Sequence, residues 1–337
     1  MTRIGELAAR LPRTALLCLL PAVALLAPLR AEAAPRVVAT VAPVHSLVAA
    51  VMEGVGEPHL LLPGEASPHD FALRPSDARA IAEADLVVWV GESLETFLAG
   101  VLETTGAPVL ELIEAPGVDP LPYSEPEEAG HDDQGHEHAG EGGHGHEHAE
   151  ADGHDHAGLD PHVWLDPVRA EAMAAAIAER LAAIDAANAG RYRANAARLS
   201  QRLARLDEEL GERLAPHRDM PVITFHDGYS YLVRRYGLSL EGVFALDPQR
   251  RPGARTIAAL RERATEEGIV CAFAEPQFDD RMVRRLAEET GVRLGVLDPY
   301  GVGRAPGPDL YFEVMQANAA SVAGCLSSGR MADEPRN

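Results

Sequence analysis

Histidines in the middle of this chain form a dense run that changes character at its end. Eight of them stand in a stretch rich in glycine and acidic residues, at His131, His136, His138, His144, His146, His148, His154 and His156. His162 follows in Asp160-Pro161-His162-Val163-Trp164-Leu165-Asp166-Pro167, where apolar side chains resume. Imidazole nitrogens are ligands that zinc and neighbouring transition metals prefer. The pattern predicts a loose metal-collecting run and, at His162, one residue of a built metal site.

Three more residues with metal-binding side chains follow predicted strands. His69 lies in a loop after the second strand, His226 comes directly after Val222-Ile223-Thr224-Phe225, and Asp298 follows Leu297. Parallel sheets bind ligands at the carboxyl ends of their strands, so these side chains should meet His162 in one cleft. Three imidazoles and a carboxylate satisfy a tetrahedral ion such as zinc. His69, His162, His226 and Asp298 are therefore the predicted metal ligands.

Other readings exist for each of these residues. Asp70 and Asp227 directly follow predicted ligands and could orient an imidazole, yet either could cap a helix, as could Asp77. An aspartate before proline, as at Asp298, is also an ordinary turn signal. A lone loop histidine is more often a surface residue, and His45 and His59 are read as structural. The joint placement of the four candidates favours the metal site.

The elements that must position these residues alternate between short apolar runs and helical patterns. Strands are predicted at 37–41, 59–62, 85–90, 109–113, 221–225, 240–244, 269–274 and 293–297. Helices are predicted at 44–52, 77–83 with Ser76 as the cap, 93–103, 167–184, 188–214, 229–236, 254–267, 280–290 and 309–326. This alternation is typical of parallel βαβ units. The predicted fold class is α/β.

A long amphipathic helix divides the chain into two similar halves. Between 188 and 214 an apolar stripe of Tyr192, Leu199, Leu203, Leu206, Leu210 and Leu214 repeats at helical spacing. About 27 residues of helix would span about 40 Å, so we expect a rigid connection between two lobes. The predicted domains are a signal peptide (1–34), an N-terminal lobe (35–186), a linking helix (187–216) and a C-terminal lobe (217–337). The metal site should lie in the cleft between the lobes.

The histidine-rich run falls within a segment, about 120–158, of unusual composition. After Tyr123 it contains almost no apolar residue and no basic residue. Such a segment buries too little surface to offset its ordering entropy, and we expect it to be disordered. Its metal sites should be weaker than the cleft site, because binding would have to order the chain. Either it collects zinc for the cleft or it is dispensable.

The first 35 residues are typical of an export signal. Arg3, Arg10 and Arg13 precede an apolar stretch from Thr14 to Leu29, and a small-x-small pattern predicts cleavage near Ala33 and Ala34. The alternative is an uncleaved anchor helix. Cys18 lacks the small residue that precedes a lipoprotein cysteine, so no lipid attachment is expected. The mature protein is predicted to be soluble and periplasmic.

Net charge argues against one class of partner, and the cysteine content suggests a disulfide. The chain of 337 residues has a formal net charge of −22, which argues against nucleic acid as a partner. Once the signal is removed, Cys271 and Cys325 remain. In an oxidising compartment two cysteines suggest one disulfide, and two buried thiols are the alternative.

Five motifs together carry a family resemblance. They are Pro68-His69-Asp70-Phe71 with Leu73-Arg74-Pro75-Ser76-Asp77, Pro161-His162-Val163-Trp164-Leu165, Thr224-Phe225-His226-Asp227-Gly228-Tyr229, Phe273-Ala274-Glu275-Pro276-Gln277-Phe278, and Leu297-Asp298-Pro299. In this order they cover nearly the whole mature chain. The chain resembles the zinc-binding periplasmic proteins of zinc ABC importers, which belong to the metal-specific solute-binding proteins with a long linking helix.

The resemblance implies roles for individual residues. His69, His162 and His226 would be the zinc ligands, with Asp298 or a water completing the coordination. Pro68 stands where some relatives have a glutamate ligand, which favours Asp298 in this chain. Glu275 would have a supporting role near the site. The resemblance also implies a disulfide between Cys271 and Cys325, and an accessory histidine-rich loop.

The resulting functional hypothesis is a binding protein that captures zinc and delivers it to a membrane permease with a cytoplasmic ATPase. It would act as a monomer and not as an enzyme. A periplasmic zinc chaperone without a transporter is one alternative. A zinc hydrolase is another, since three histidines with an open fourth position also describe catalytic zinc. No His-Glu-x-x-His motif supports the hydrolase.

Overall fold

Two parallel β-sheets with the same strand order organise the protein. The computed structural model describes residues 33–123, 158–245 and 252–327. In the N-terminal lobe, β1 (Val37–Ala39), β2 (His59–Leu60), β3 (Leu86–Trp89) and β4 (Val109–Glu111) are arranged as β2-β1-β3-β4. In the C-terminal lobe, β5 (Pro221–His226), β6 (Ser239–Ala245), β7 (Cys271–Ala274) and β8 (Arg293–Val296) are arranged as β6-β5-β7-β8. Every pairing is parallel, which confirms the predicted α/β class.

The strand order places a topological switch point in each sheet. In each lobe the chain runs from the first strand to one neighbour and then crosses to the other side. The switch therefore lies between β1 and β3 in one lobe and between β5 and β7 in the other. Open parallel sheets bind ligands outside the carboxyl ends of the strands at such points.

Helices connect and cover the strands. They are α1 (Ala42–Val51), α2 (Pro75–Ala82), α3 (Ala99–Thr105), α4 (Pro167–Ile184), α5 (Ala189–Leu214), α6 (Ser230–Tyr236), α7 (Ala254–Glu266), α8 (Arg281–Thr290) and α9 (Leu310–Ser327). Short 3₁₀ turns occur at Pro68–Asp70, Val163–Leu165 and Ala215–His217. Within the described ranges, no helix is both long enough and apolar enough to cross a bilayer.

Two predicted helix starts are wrong. Helix α2 begins at Pro75 and not at residue 77. Asp77 accepts a hydrogen bond from the backbone N–H of Arg74, so the helix is capped before Ser76. The second, α3, begins at Ala99 and not at residue 93. The preceding segment is held in turns because Glu95 binds the backbone N–H groups of Val90 and Gly91.

The long helix α5 packs along one buried stripe. All six apolar residues predicted for the stripe are buried, and Asn195 joins them. Its amide group donates to the carbonyl oxygens of Val51 and Glu53, where α1 ends. Helix α5 contacts α1, α4 and α9, although α9 follows the C-terminal sheet. The helices around α5 therefore belong to both lobes.

One hydrophobic core extends through both lobes. It includes residues from α1, α4, α5 and α9 and from strands of the two sheets, among them Val88, Leu203 and Phe273. The predicted disulfide is present and joins Cys271 in β7 to Cys325 in α9, with the Cα atoms 6.2 Å apart. It ties the C-terminal helix to the sheet that carries His226.

Two predicted segments lie outside the described residues. The signal peptide falls almost entirely within residues 1–32, and the histidine-rich run falls within residues 124–157. The residues that flank the second segment are hydrogen-bonded to each other. Tyr123 donates its N–H to the carbonyl of Gly158 at 2.8 Å, and Pro122 pairs with Leu159 in an antiparallel bridge.

Candidate metal centre

His162 is held by the chain segment just before helix α4. Its backbone N–H donates to Oδ1 of Asp160, and the same oxygen lies 2.8 Å from Nδ1 of the imidazole ring. The 3₁₀ turn Val163–Leu165 follows, and the carboxylate of Asp166 caps α4. The ring of His162 is fully buried. The two contacts of Asp160 therefore fix the position of the ring.

His226 is the last residue of β5, at the switch point of the C-terminal sheet. Its Nδ1 atom lies 2.5 Å from Oε1 of Glu275, which directly follows the neighbouring strand β7. Both side chains are buried, with 1% and 2% of their residue surface exposed. The strand order thus brings together two residues that are 49 positions apart in sequence.

His69 belongs to a loop of the N-terminal lobe. It lies in the 3₁₀ turn Pro68–Asp70, and the hydroxyl of Ser67 accepts its backbone N–H. The residue is partly exposed, unlike the other two histidines. Its ring centroid is 5.6 Å from that of His162 and 5.9 Å from that of His226.

The three imidazoles converge on one point. One ligand atom from each of His69, His162 and His226 lies within 4.8 Å of the other two. The Nε2 atoms of His162 and His226 are 3.1 Å apart. Two nitrogens that bind one tetrahedral ion at about 2.0–2.1 Å lie about 3.3 Å apart. The two buried histidines are therefore already at a chelating distance.

The charges around the two buried rings favour a cation between them. Nδ1 of each ring lies at hydrogen-bonding distance from a carboxylate oxygen, and a neutral ring that donates there turns the lone pair of its Nε2 towards the other ring. Burial lowers the pKa of His162 well below its ordinary value. Burial is the largest effect on the pKa of His226 and acts to lower it, but the carboxylates of Glu275, Asp160 and Asp227 together raise that pKa. One proton or one metal ion would relieve the repulsion between the lone pairs.

Asp298, predicted as a fourth ligand, lies outside the group of converging ligand atoms in the described structure. Its Oδ1 accepts hydrogen bonds from the side chain of Gln277 and from the backbone N–H groups of Tyr300 and Gly301. Its Oδ2 accepts from the N–H of Val302. The carboxylate is thus engaged in capping the 298–302 turn, the alternative that the sequence left open.

The residues predicted to orient the imidazoles have different outcomes. Glu275 contacts His226 directly. Asp227 is buried and accepts a hydrogen bond from Ser230, and its charge contributes to raising the pKa of His226. The side chain of Asp70 and the eight histidines of the run lie outside what the structure describes.

Asp160 is the residue that sequence reasoning missed. Burial raises the pKa of its carboxyl group to about 7. The signal was present in the sequence, because a carboxylate two residues before a buried histidine can fold back on both its N–H and its ring. Adjacency in sequence drew attention to Asp70 and Asp227 instead.

Comparison with known sequences gives one family. A model described as "ZnuA: Zinc-uptake complex component A periplasmic" matches residues 37–325. A protein of Brucella suis named "High-affinity zinc uptake system protein ZnuA" is 39% identical over 309 residues, which cover 86% of this chain and 91% of that protein. A protein of the same name from Yersinia pestis is 35% identical over 297 residues, covering 87% and 92%.

Comparison with solved structures agrees on the fold. A structure described as "Crystal structure of ZnuA" superposes with a TM-score of 0.69 at 24% identity, and the match covers 86% of this chain and 98% of that one. A solute-binding protein of Pseudomonas aeruginosa, FpvC, described in complex with Ni²⁺, gives a TM-score of 0.70 at 23% identity. At these identities the likeness concerns the fold alone.

Proposed function

The chain belongs to the family of periplasmic zinc-uptake components, and we propose that it captures Zn²⁺ in the cleft and delivers it to a membrane permease. The proposed ligands are the Nε2 atoms of His162 and His226, together with His69. The permease would work with a cytoplasmic ATPase, as in an ABC importer. Zinc is the cargo here and not a resident cofactor.

One observation carries this proposal. The Nε2 atoms of His162 and His226 face each other at 3.1 Å, and a buried carboxylate holds the other nitrogen of each ring. Two carboxylates and three neutral imidazoles around one divalent ion give a local charge near zero. That balance offsets the cost of placing the ion in a buried site.

The donor atoms favour zinc over harder ions. Among the described side chains, the converging group consists of three imidazoles without a carboxylate. Manganese and magnesium prefer more oxygen ligands, whereas imidazole suits zinc. The fourth coordination position is then left to a water molecule, since the carboxylate of Asp298 caps its own turn.

A metal-content experiment tests the proposed site. The wild type should bind one zinc ion tightly by elemental analysis and by competition with a chelator. His69→Ala, His162→Ala and His226→Ala should each lose most of that affinity. His45→Ala is the matched control, because His45 is also buried but binds the carbonyl of Pro58 away from the group. Equal losses in the control, or none in the three variants, would overturn the site.

The partner is proposed from the family. The relatives are named as zinc uptake system proteins, and a monomer that presents one loaded cleft would suffice for delivery. Deleting the gene should abolish growth in chelator, and the His226→Ala variant should fail to restore it. If growth survives deletion while the protein still binds zinc, a zinc buffer without a transporter is the better function.

The histidine-rich run is proposed as an accessory zinc collector. It joins the described chain at Tyr123 and Gly158, which are hydrogen-bonded to each other, and Gly158 lies close to His162 in sequence. Replacing residues 125–157 by a short linker should leave the tight site intact and remove only weaker zinc binding. A large loss of affinity at the tight site would contradict the accessory role.

A further inference from the structure

Asp160 contacts His162 twice through a single oxygen. Oδ1 lies 2.9 Å from the backbone nitrogen of His162 and 2.8 Å from Nδ1 of its ring. The first contact shapes the local turn. The second fixes the rotation of the imidazole about its own axis, so that Nε2 points towards His226, 3.1 Å away.

The environment of Asp160 differs from that of a carboxylate that only supports the fold. Asp160 is fully buried, and its Oδ2 accepts no hydrogen bond of good geometry among the described atoms, although the hydroxyl of Ser230 lies near enough to lower the pKa of the carboxyl group. Asp298, by contrast, receives four N–H groups and stays partly exposed. A buried carboxylate with so few donors is costly to keep unless another group needs its charge. The imidazole of His162 is the group in contact.

Tyr231 holds Asp160 in place from the other lobe. This residue of α6 donates its hydroxyl hydrogen to the carbonyl oxygen of Asp160 at 2.6 Å, and its oxygen accepts the N–H of Leu121 at 2.9 Å. Asp160 in turn donates its own N–H to the carbonyl of Leu121. One hydroxyl therefore joins both strands of the Pro122–Leu159 bridge directly beside the metal ligand.

We propose that Asp160 is a positioning residue for His162, and that Tyr231 keeps Asp160 in register across the lobe boundary. Metal-binding histidines commonly donate their second nitrogen to a carboxylate, which fixes the tautomer and raises the basicity of the ligand. Asp160 would do this for His162, as Glu275 does for His226. The inference rests on the proposed zinc site and adds two residues to it.

Three substitutions separate the ring contact from a structural role. Asp160→Ala should weaken zinc binding roughly 10- to 100-fold and alter the visible absorption spectrum of the Co²⁺-loaded protein. Asp160→Asn keeps an oxygen for the turn but loses the charge, so it should restore only part of the affinity. Asp166→Asn is the control in the same segment, because Asp166 caps α4 and pairs with Arg169. It should lower stability and leave the affinity and the Co²⁺ spectrum unchanged.

Tyr231→Phe tests the contact across the lobes. Removing its hydroxyl should lower zinc affinity severalfold and shift the Co²⁺ spectrum in the same direction as Asp160→Ala. Tyr236→Phe is the matched control on the same helix, since its hydroxyl binds Asp207 instead. That variant should bind zinc as the wild type does.

The outcomes distinguish this inference from the function on which it rests. If the wild type binds zinc, His162→Ala does not, and Asp160→Ala has unchanged affinity and spectrum, the function stands and the positioning role is overturned. The same holds if Asp160→Ala and Asp166→Asn lose affinity equally. A wild type that takes up no zinc would overturn both.

Discussion

At the scale of single residues, the site depends on which nitrogen of each imidazole is free. A histidine whose Nδ1 is bound by a carboxylate has Nε2 available for a metal, and the structure shows such an Nδ1–carboxylate contact twice. The two acidic residues lie at different positions relative to their histidines in the sequence. Asp160 precedes its histidine by two residues, whereas Glu275 reaches His226 from the neighbouring strand. Both lobes thus prepare their histidine in the same chemical way.

The first residue-level prediction concerns the effect of Asp298 on zinc affinity and stability. Asp298→Ala should still bind one zinc ion, with an affinity reduced less than about tenfold, because its carboxylate caps the 298–302 turn. The loss of that cap should reduce the free energy of unfolding by about 1–3 kcal/mol. Chelator competition and urea unfolding would measure the two effects. A loss of zinc as large as that of His226→Ala would instead show that Asp298 coordinates the ion.

The buried carboxyl group of Glu95 should make the stability of the protein depend on pH. It is fully buried at the switch point of the N-terminal sheet, where it accepts hydrogen bonds from Thr40, Val90 and Gly91. Burial outweighs these contacts and raises the pKa of Glu95 from 4.5 to about 7. The folded state therefore binds the proton more tightly than the unfolded state. This contribution to stability is complete below pH 4.5 and is lost as the pH rises to about 7.

Glu95→Gln should remove this dependence. Between pH 5 and pH 8 the stability of the metal-free variant relative to the wild type should rise by about 2–3 kcal/mol. Urea unfolding at several pH values would measure the difference in the free energy of unfolding between variant and wild type. The test is how this difference changes with pH, and not its size at any one pH. Glu103→Gln, at an exposed position on α3, is the control and should follow the wild type. A constant difference between Glu95→Gln and the wild type would contradict the prediction.

Some residues of the candidate site could be predicted from the sequence, and others could not. The convergence of the three histidines could be predicted because each lies after a strand or shortly before a helix, where parallel folds place ligands. Asp160 and Asp298 could not be assigned in this way. Their roles depend on the direction of a carboxylate, and that direction is set by contacts with His162 and with the 298–302 turn. Sequence spacing contains no information about those contacts.

At the scale of elements, predictions held where local signals and packing agreed. Helix α4 begins at Pro167 and ends at Ile184 as predicted, because Asp166 caps it and proline is favoured in the first turn. Helix α3 starts later than predicted, since Glu95 turns back to bind the chain at Val90 and Gly91. A buried polar contact therefore overrode helix propensity at that point.

Asn195 gives a prediction for the packing of α5. It is a buried polar residue in an apolar stripe, and its amide binds the carbonyl oxygens of Val51, the last residue of α1, and of Glu53 just beyond it. Asn195→Ala should leave those carbonyls without a donor and reduce the free energy of unfolding by about 1–3 kcal/mol. Zinc affinity should not change. Gln201→Ala, exposed on the same helix, is the control for both measurements, and equal stability of the two variants would contradict this role.

At the scale of the whole molecule, the lobes are joined by more than one helix. Trp164 donates its indole N–H to the carbonyl of Pro299, and Tyr311 of α9 binds both Ser46 of α1 and the carbonyl of Trp164. The continuous core adds apolar contacts across the same boundary. Opening the cleft widely would break these buried contacts at once.

Small lobe motion on metal release is the prediction that follows from this arrangement. His162 and His226 come from opposite lobes, and the buried contacts that join the lobes hold their Nε2 atoms at a chelating distance. Most of the adjustment should therefore occur in the exposed loop that carries His69. Small-angle scattering of the zinc-bound and metal-free protein, with residues 125–157 replaced by a short linker, should give nearly superimposable profiles. A clear increase in the radius of gyration on zinc removal would show that the lobes separate, and that the shared core is weaker than its buried contacts suggest.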